Sequence, residues 1–235
     1  MTGPAIAIIG HGRMGRAVED VAATQGIAVR AVIDRETPID RKSLAGADVA
    51  IEFTNPASAV ANARACIDAG CPVVIGTTGW GGELAALTAY VEQHRGALLW
   101  APNFSLGVHA MTAIAMMAGM ALGRLPAFDV HIVETHHAAK KDAPSGTALH
   151  LARVLDGPTP GRTAITSVRV GAVPGTHEII FDGPYEQLRI THEVRDRRVF
   201  AEGALLAARW LVGKHGVFTL DDALADPPRI NSSAP

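Results

Sequence analysis

The sequence has very little cysteine and few aromatic residues. Its 235 residues include two cysteines, Cys66 and Cys71, and aromatic residues make up 5% of the chain. Two cysteines alone provide neither the paired Cys/His spacing of a zinc site nor the cysteine density of a small secreted scaffold. We therefore predict that both thiols are reduced and structural, and that the fold depends on a hydrophobic core.

Long apolar runs and clusters of one charge are also absent. The 21 basic residues are scattered, the net charge is -2, and no run resembles a nucleic-acid-binding arm. Residues 1–10 lack the pattern of a signal peptide, and the apolar segment 108–122 is too short to cross a bilayer. We expect a cytoplasmic protein that binds neither nucleic acid nor a membrane.

Hydrophobic residues make up 48% of the chain, and their arrangement predicts the fold. Up to about residue 100, short apolar runs alternate with helical stretches, which is typical of a doubly wound parallel sheet with helices on both faces. The predicted strands span residues 5–9, 28–33, 49–53, 72–75 and 97–100, and the predicted helices lie near residues 14–24, 57–69 and 83–94.

The pattern changes after residue 105. A predicted helix over 106–122 is followed by strand-like runs at 128–133, 167–173, 177–181 and 187–194, with one helix after Gly146. Strands with so few helices between them predict a smaller α+β domain with a mixed or antiparallel sheet. An apolar helix over 201–212 suits burial against the first sheet. We therefore predict one domain of residues 1–105 with 198–235, and a second of residues 106–197.

A glycine-rich segment directly follows the first predicted strand and opens the first helix. Its residues are Gly10, His11, Gly12, Arg13, Met14 and Gly15. This is a G-x-G-x-x-G pattern, in which the glycines permit a tight turn, close approach of a pyrophosphate, and helix–strand packing. The helix N-terminus adds N–H groups for the phosphates. The segment predicts a Rossmann-type dinucleotide site, with a glycine-rich structural turn as the alternative.

Asp34 and Arg35, at the end of the second predicted strand, bear on the choice of cofactor. Asp34 would accept hydrogen bonds from the adenosine ribose, which favours NAD, whereas Arg35 would pair with the extra phosphate of NADP. A solvated loop charge is the alternative interpretation of Arg35. NADH and NADPH therefore both stay open as cofactors.

Two loops after the fourth and fifth predicted strands are expected to line the nicotinamide half of the site. In an open parallel sheet, ligands bind beyond the carboxyl ends of the strands. The alternative interpretation is that both loops are ordinary turns, because the residue types they contain are common in turns that bind nothing. The loop residues are Gly76, Thr77 and Thr78 in the first, and Ala101, Pro102, Asn103 and Phe104 in the second.

The densest polar segment spans residues 134–148. Ser145, Gly146 and Thr147 stand where a helix N-terminus would present hydroxyl and N–H donors to a carboxylate. Cationic side chains nearby predict an acidic substrate. They belong to His137, Lys140 and Lys141.

Reduction by a hydride donor is completed by a proton, and His136 and Lys140 are the predicted proton donors. An imidazole titrates near neutrality, and neighbouring cations tune a lysine downward. The alternatives are a capped helix after a charged loop and, third, a zinc site. Because no third ligand stands at a recognisable spacing, we predict no metal.

The same segment resembles the signature of the dihydrodipicolinate reductase family. The residues that carry the resemblance are Glu134, His136, Lys140, Asp142, Pro144, Ser145, Gly146, Thr147 and Ala148. The resemblance extends over residues 12–15, 76–79, 101–105 and 203–224. It implies a Rossmann-type domain completed by the C-terminal segment, and a central domain that binds substrate and forms a homotetramer.

The resemblance also implies the reaction and the site. A hydride passes from NADH or NADPH to the ring C4 of a small cyclic dicarboxylate, giving tetrahydrodipicolinate in diaminopimelate and lysine synthesis. His136 exchanges a proton, Lys140 donates one, and His137, Gly146 and Thr147 bind the substrate carboxylate. Cofactor contacts fall to residues 10–15, Asp34, Arg35, 76–78 and 101–104.

Two other classes of protein share part of this pattern. Another two-domain nicotinamide enzyme, such as an amino-acid or semialdehyde dehydrogenase, would share roughly the first hundred residues. A binding protein that only senses the dinucleotide would share the glycine loop. Neither class has a use for the segment 136–148, which therefore favours the reductase.

Overall fold

The computed structural model describes residues 3–123, 125–157 and 163–227. The chain divides into two units, Met1–Phe104 with Arg198–Pro235, and Ser105–Arg197. The strands are β1 (Ile6–Ile9), β2 (Val29–Ile33), β3 (Val49–Glu52), β4 (Val73–Ile75), β5 (Ala97–Trp100), β6 (Asp129–His136), β7 (Ala164–Arg169), β8 (Thr176–Asp182), β9 (Gln187–Glu193) and β10 (Gly216–Thr219). The α-helices are α1 (Arg13–Thr24), α2 (Pro56–Asp68), α3 (Leu84–Gln93), α4 (Leu106–Leu122), α5 (Gly146–Asp156), α6 (Arg198–Leu211) and α7 (Leu220–Ala225).

Parallel strands form the sheet of the first unit. Within the described residues, six strands lie in the order β10-β5-β4-β3-β1-β2, and every pair is parallel. The chain leaves β1 toward β2 and then returns to β3 on the other side of β1. The winding therefore reverses between β1 and β3, and in such sheets the ligand crevice opens at this switch point.

The core of the first unit explains why its strands are so apolar. β1, β3 and β4 are buried along their whole length, as expected for parallel strands covered on both faces. α6 lies against α1, β3, β4 and β5. Its close approach depends on Gly203, because a Cβ there would lie 1.8 Å from the carbonyl oxygen of Phe104. The apolar C-terminal helix thus packs on the N-terminal strands.

A mixed sheet forms the second unit. In its described part, four strands lie in the order β7-β6-β8-β9, with β6 parallel to β7 and antiparallel to β8, and β8 antiparallel to β9. α4 and α5 pack against one face of this sheet. The buried core between them includes Met111, Leu151, Leu155, Ile132, Ile179 and Phe181.

The structure confirms the predicted fold class, a doubly wound parallel sheet with a second, mixed sheet. Three differences concern details of the elements. β10 and α7 were not predicted as separate elements, β6 extends to His136 rather than ending at Val133, and β7 ends at Arg169. In residues 3–123, 125–157 and 163–227, no helix combines the length and apolar character that crossing a membrane requires.

Candidate active site

The glycine loop lies at the switch point of the first sheet. Gly10 has a φ of +90°, and a Cβ there would lie 2.3 Å from the carbonyl oxygen of Phe53. A Cβ at Gly15 would lie 2.0 Å from the carbonyl oxygen of Gly10. At Gly12, the N-cap of α1, no atom of the described residues lies within 4 Å of such a Cβ. Gly10 and Gly15 are therefore required by the fold, whereas the space beside Gly12 is open.

The other residues of the glycine loop face outward to different degrees. His11 and Arg13 are exposed and Met14 is half-buried. The imidazole of His11 turns back toward α1, where Nε2 lies 2.7 Å from Glu19 Oε2. The loop therefore offers an anion its backbone N–H groups, the N-terminus of α1 and the exposed side chain of Arg13.

Asp34 and Arg35 are both exposed beyond the end of β2. Asp34 Oδ1 accepts hydrogen bonds from the backbone N–H of Glu36 (3.0 Å) and Thr37 (3.1 Å) and from Thr37 Oγ1 (3.0 Å). The Thr37 and Glu36 hydrogen bonds lower the pKa of Asp34 below its usual value. Asp34 therefore stays ionised at neutral pH and orders the turn in which Arg35 stands.

Phe53, which the sequence did not single out, contacts all three predicted cofactor loops. Its carbonyl oxygen lies against Gly10, and a Cβ at Gly76 would lie 1.9 Å from its ring. Its ring also meets Phe104 edge to face, with centroids 6.2 Å apart. The loops 10–15, 76–78 and 101–104 thus converge on the residue that follows β3.

Glu52, the last residue of β3, is a second site feature that sequence reasoning missed. Its side chain is fully buried and accepts hydrogen bonds from Thr54 Oγ1 and from Asn62 Nδ2 (3.3 Å). The N–H of Thr54 donates to Thr77 Oγ1 (2.8 Å), so the network reaches the 76–78 loop. Burial raises the pKa of Glu52. An acidic residue ending a wholly apolar strand was the available signal.

The remaining residues of these two loops differ in exposure. Thr78 and Pro102 are exposed, Thr77 and Asn103 are half-buried, and Ala101 and Phe104 are buried. The carbonyl oxygen of Thr77 accepts a hydrogen bond from Trp80 Nε1 (2.7 Å). This bond ties the 76–78 loop to the core beneath it.

In the second unit, the polar cluster begins inside β6 rather than after it. The residues of β6 that face the helices are first apolar and then polar, with Ile132 followed by Glu134 and His136. Because β6 pairs with β7 and β8, Glu134 lies opposite His177 and His136 lies opposite Arg169. The strand register therefore assembles an acid, two imidazoles and a guanidinium on one face of the sheet.

Glu134 is the centre of this cluster and is fully buried. Its carboxylate accepts two hydrogen bonds from Arg169, Nη2 to Oε1 (2.7 Å) and Nη1 to Oε2 (3.0 Å). It also accepts from the backbone N–H of Ser145 (3.3 Å) and pairs with His136 Nδ1. Burial alone would raise the pKa of Glu134, but the Arg169, Ser167 and His136 hydrogen bonds outweigh it and hold the pKa at about 2.

The two buried imidazoles lie edge to face with ring centroids 5.2 Å apart. Burial lowers the pKa of His136, an effect that Glu134 opposes. Burial also lowers the pKa of His177, to about 4, and His136 adds to this effect. His177 Nε2 lies 3.0 Å from Ser145 Oγ. Both imidazoles are therefore neutral at pH 7.

The predicted carboxylate-binding turn is the N-terminus of α5. Ser145 is its N-cap, with Oγ accepting from the backbone N–H of Ala148 (3.2 Å). Gly146 and Thr147 follow in the first turn, and no atom of the described residues lies within 4 Å of a Cβ built at Gly146. The turn therefore presents an uncrowded positive end of a helix dipole, which favours an anion.

The cationic loop between β6 and α5 carries the predicted lysine. Lys140 is half-buried, and its Nζ lies 2.8 and 2.9 Å from the two carboxylate oxygens of Asp142. The backbone carbonyl of Asp142 accepts from Arg169 Nη2 (2.6 Å), so this loop is tied to the buried cluster. His137 is half-buried and Lys141 is exposed.

A group of possible metal ligands appears that the sequence did not reveal. One ligand atom each from Glu134, His136 and His177 lies within 4.8 Å of the others. The third ligand comes from β8, far along the chain. However, Arg169 donates to both oxygens of Glu134, so a metal ion would meet a like charge at the same carboxylate. We interpret the group as an acid–base cluster.

The buried His177 predicts a loss of stability in mild acid. Its pKa in the folded protein is about 4, compared with an ordinary value of 6.5, so between these limits the unfolded chain binds more protons. Stability therefore falls as pH drops from 6.5 toward 4, and we expect the free energy of unfolding to be about 2 kcal/mol lower at pH 5 than at pH 7. Glu134, whose pKa is lowered from 4.5 to about 2, reduces the stability of the folded protein only when the pH falls below about 4.5.

Urea titrations at pH 7 and pH 5 measure this difference. In His177→Gln the difference is expected to shrink markedly. His131→Ala, on the opposite face of β6, is the matched control and retains it. An equal pH dependence in His177→Gln and the parent protein would show that the account of His177 is wrong.

Comparisons with known proteins cover both units. The model of the dihydrodipicolinate reductase N-terminus matches residues 4–104, and that of the C-terminus matches residues 107–224. The 4-hydroxy-tetrahydrodipicolinate reductase of Christiangramia forsetii is 35% identical over 94% of this chain and 98% of its own length. That of Laribacter hongkongensis is 34% identical over 91% of this chain and 94% of its own.

The fold is also similar to solved structures. Dipicolinate-bound dihydrodipicolinate reductase from Paenisporosarcina sp. TG-14 superposes with a TM-score of 0.78, at 23% identity, covering 94% of this chain and 99% of that one. A probable dehydrogenase from Thermotoga maritima gives a TM-score of 0.62 at 11% identity, covering 93% and 92%. These likenesses support the fold, and the relatives above carry the assignment to a family.

Proposed function

The chain belongs to the dihydrodipicolinate reductase family, and on that premise we propose that it reduces 4-hydroxy-tetrahydrodipicolinate to tetrahydrodipicolinate in diaminopimelate and lysine synthesis. It is an NAD(P)H-dependent oxidoreductase. The observation that carries the proposal is that one chain holds a glycine loop at the switch point of a parallel sheet and a buried Glu-His-Arg cluster beside a cationic loop.

We assign the proton chemistry to His136 and Lys140. When bound, the reduced nicotinamide supplies a hydride to the ring C4 of the substrate, and a proton must reach the substrate to complete the reduction. A neutral His136 accepts a proton from water or from Lys140 and passes it to the substrate. Asp142 holds Lys140 Nζ in one position, which supports its role as a proton donor.

Substrate carboxylates are proposed to bind at the start of α5. Two features support this: the uncrowded N-terminus of the helix and the positive charge of the loop before it. Both features would stabilise a bound ring that carries two carboxylates. The proposed contacts are His137, Ser145, Gly146 and Thr147.

The nucleotide is proposed to bind along the carboxyl ends of β1 to β5. The convergence of three loops on Phe53 supports this placement. Exposed Asp34 and Arg35 offer one partner for a ribose and one for a phosphate, so we propose that the enzyme accepts both NADH and NADPH. The proposed contacts are Gly10, His11, Gly12, Arg13, Met14, Gly15, Asp34, Arg35, Gly76, Thr77, Thr78, Ala101, Pro102, Asn103 and Phe104.

We further propose that the protein is a cytoplasmic homotetramer. Exposed apolar side chains on α4, which include Ile114, Met117 and Met120, support association through the second unit, because such patches mark protein interfaces. Cys66 and Cys71 are free and buried, which suits a reducing compartment.

A coupled assay tests the proposed function. Purified protein is mixed with NADH or NADPH and the freshly generated product of dihydrodipicolinate synthase, and the absorbance of the reduced nicotinamide is followed. We expect oxidation of both nucleotides, dependent on the synthase product, and the two values of kcat/KM give the preference. A folded protein that oxidises neither nucleotide would overturn the assignment.

A further inference from the structure

We propose that Glu134 is a positioning residue that holds His136 with Nδ1 protonated, so that Nε2 is the nitrogen that exchanges a proton with the substrate, and that Arg169 fixes Glu134 for this task. The role of His136 rests on the proposed function, whereas the tautomer does not. Neither Glu134 nor Arg169 is assigned a contact with the substrate; both act through the groups that they hold.

The direction of the hydrogen bond between Glu134 and His136 follows from the charge of Glu134. Arg169 occupies both oxygens of Glu134, and the pKa of about 2 leaves the carboxylate ionised. An ionised carboxylate only accepts hydrogen bonds. A neutral His136 must therefore carry its proton on Nδ1, the atom that pairs with Glu134 Oε2.

The other nitrogen of the His136 ring faces a glycine. His136 Nε2 lies beside Gly175, where a Cβ would come within 3.0 Å of it. Gly175 has a φ of +156°, a conformation that favours glycine. A residue with a side chain would crowd Nε2, and glycine removes this obstruction. One nitrogen of the ring is therefore committed to Glu134 while the other is left for proton exchange.

The same carboxylate ties the imidazole to the predicted substrate turn. Glu134 Oε1 accepts from the N–H of Ser145 (3.3 Å), the N-cap of α5. Arg169 also donates to the carbonyl of Asp142 (2.6 Å), which precedes that turn. The Glu134–Arg169 pair therefore sets the position of His136 relative to both flanks of the loop 137–145.

The charges around His136 predict the direction in which its pKa changes when Glu134 is replaced. Among residues 3–123, 125–157 and 163–227, four groups face its imidazole: Glu134 on its own strand, Arg169 on β7, His177 on β8 and Lys140 in the following loop. The Glu134 carboxylate favours the protonated imidazole, and Lys140 and Arg169 oppose it. Replacing Glu134 with glutamine removes the attraction and leaves both cations. The pKa of His136 is then expected to fall.

Nitrogen-15 spectra of histidine-labelled protein test the proposal directly. They distinguish the two neutral tautomers, and the His136 signals are identified by their loss in His136→Gln. In the parent protein without ligands we expect the Nδ1–H form. In Glu134→Gln, where one amide oxygen replaces two carboxylate oxygens, we expect a larger share of the Nε2–H form and a titration midpoint at lower pH.

Glu178→Gln is the matched control, because Glu178 also pairs with an arginine, Arg189 (3.0 Å), on the same sheet. It is expected to leave the His136 signals unchanged. In the coupled assay, Glu134→Gln is expected to lower kcat about tenfold or more, with the KM for nucleotide within about twofold of the parent value. The pH dependence of kcat is expected to move in the same direction as the His136 midpoint.

The outcomes separate the inference from the function. An Nε2–H tautomer in the parent protein overturns the inference even if Glu134→Gln does not fold. Unchanged His136 signals in a folded Glu134→Gln variant also overturn it, and the reductase activity then stands by itself. An inactive parent protein with the Nδ1–H tautomer would instead refute the proposed function and leave the positioning of His136 intact.

Discussion

Alanine at His136 or at Lys140 is expected to lower kcat by about a hundredfold or more, while the Kd for NADH or NADPH stays within about twofold of the parent value. The reason is chemical: these groups are assigned to proton transfer, and both stand in the second unit, outside the glycine loop. Removing a proton donor leaves nucleotide contacts intact and slows only the reductive step.

Steady-state kinetics and fluorescence titration of bound nucleotide measure the two quantities separately. His131→Ala is the matched control, because His131 lies on the same strand but is half-buried on its opposite face, beside Thr166 (2.8 Å). It is expected to retain kcat. A fall in nucleotide affinity that parallels the loss of kcat would refute the roles given to His136 and Lys140.

Gly15→Ala is expected to lower the stability of the protein, whereas Gly12→Ala is expected to weaken nucleotide binding. A methyl group at Gly15 would lie 2.0 Å from a backbone oxygen of Gly10, so the loop must shift, and overpacking of this kind costs about 1–3 kcal/mol of stability. At Gly12 the added carbon meets no atom of the described chain within 4 Å, so stability is retained. The same carbon would stand where a pyrophosphate approaches the backbone.

Chemical denaturation without nucleotide, together with nucleotide titration, distinguishes these effects. Gly12→Ala is expected to unfold like the parent protein and to bind NADH and NADPH at least about tenfold more weakly, a loss of about 1.4 kcal/mol. Gly15→Ala is expected to be less stable even without nucleotide. Parent-like nucleotide binding by Gly12→Ala would support the alternative that the loop is only a structural turn.

Local sequence patterns were enough to predict most of the fold. The alternation of apolar runs with helices gave the parallel sheet, and the loss of that alternation after residue 105 gave the mixed one. The strand β10 (Gly216–Thr219) escaped prediction because its residues are only half-buried and it is defined by pairing with β5. The end of β6 escaped because its buried face changes from Ile132 to Glu134 and His136.

The candidate site could be predicted where its residues are continuous in sequence or follow the carboxyl ends of predicted parallel strands. The glycine loop and the segment 134–148 are continuous, so their spacing carried the information. Arg169 and His177 join Glu134 through strand register, which no local pattern encodes. Glu52 and Phe53 matter because loops from other strands converge on them, and this depends on the order of strands in the sheet.

A nucleotide held by the glycine loop is expected to deliver a hydride to a cyclic dicarboxylate. The most direct test is the reaction with nicotinamide nucleotide deuterated at the transferred position, followed by mass spectrometry and NMR of the product. We expect one deuterium at the ring C4 of tetrahydrodipicolinate and none there when the unlabelled nucleotide is used. Product that forms without deuterium at C4 from fully labelled nucleotide would contradict it.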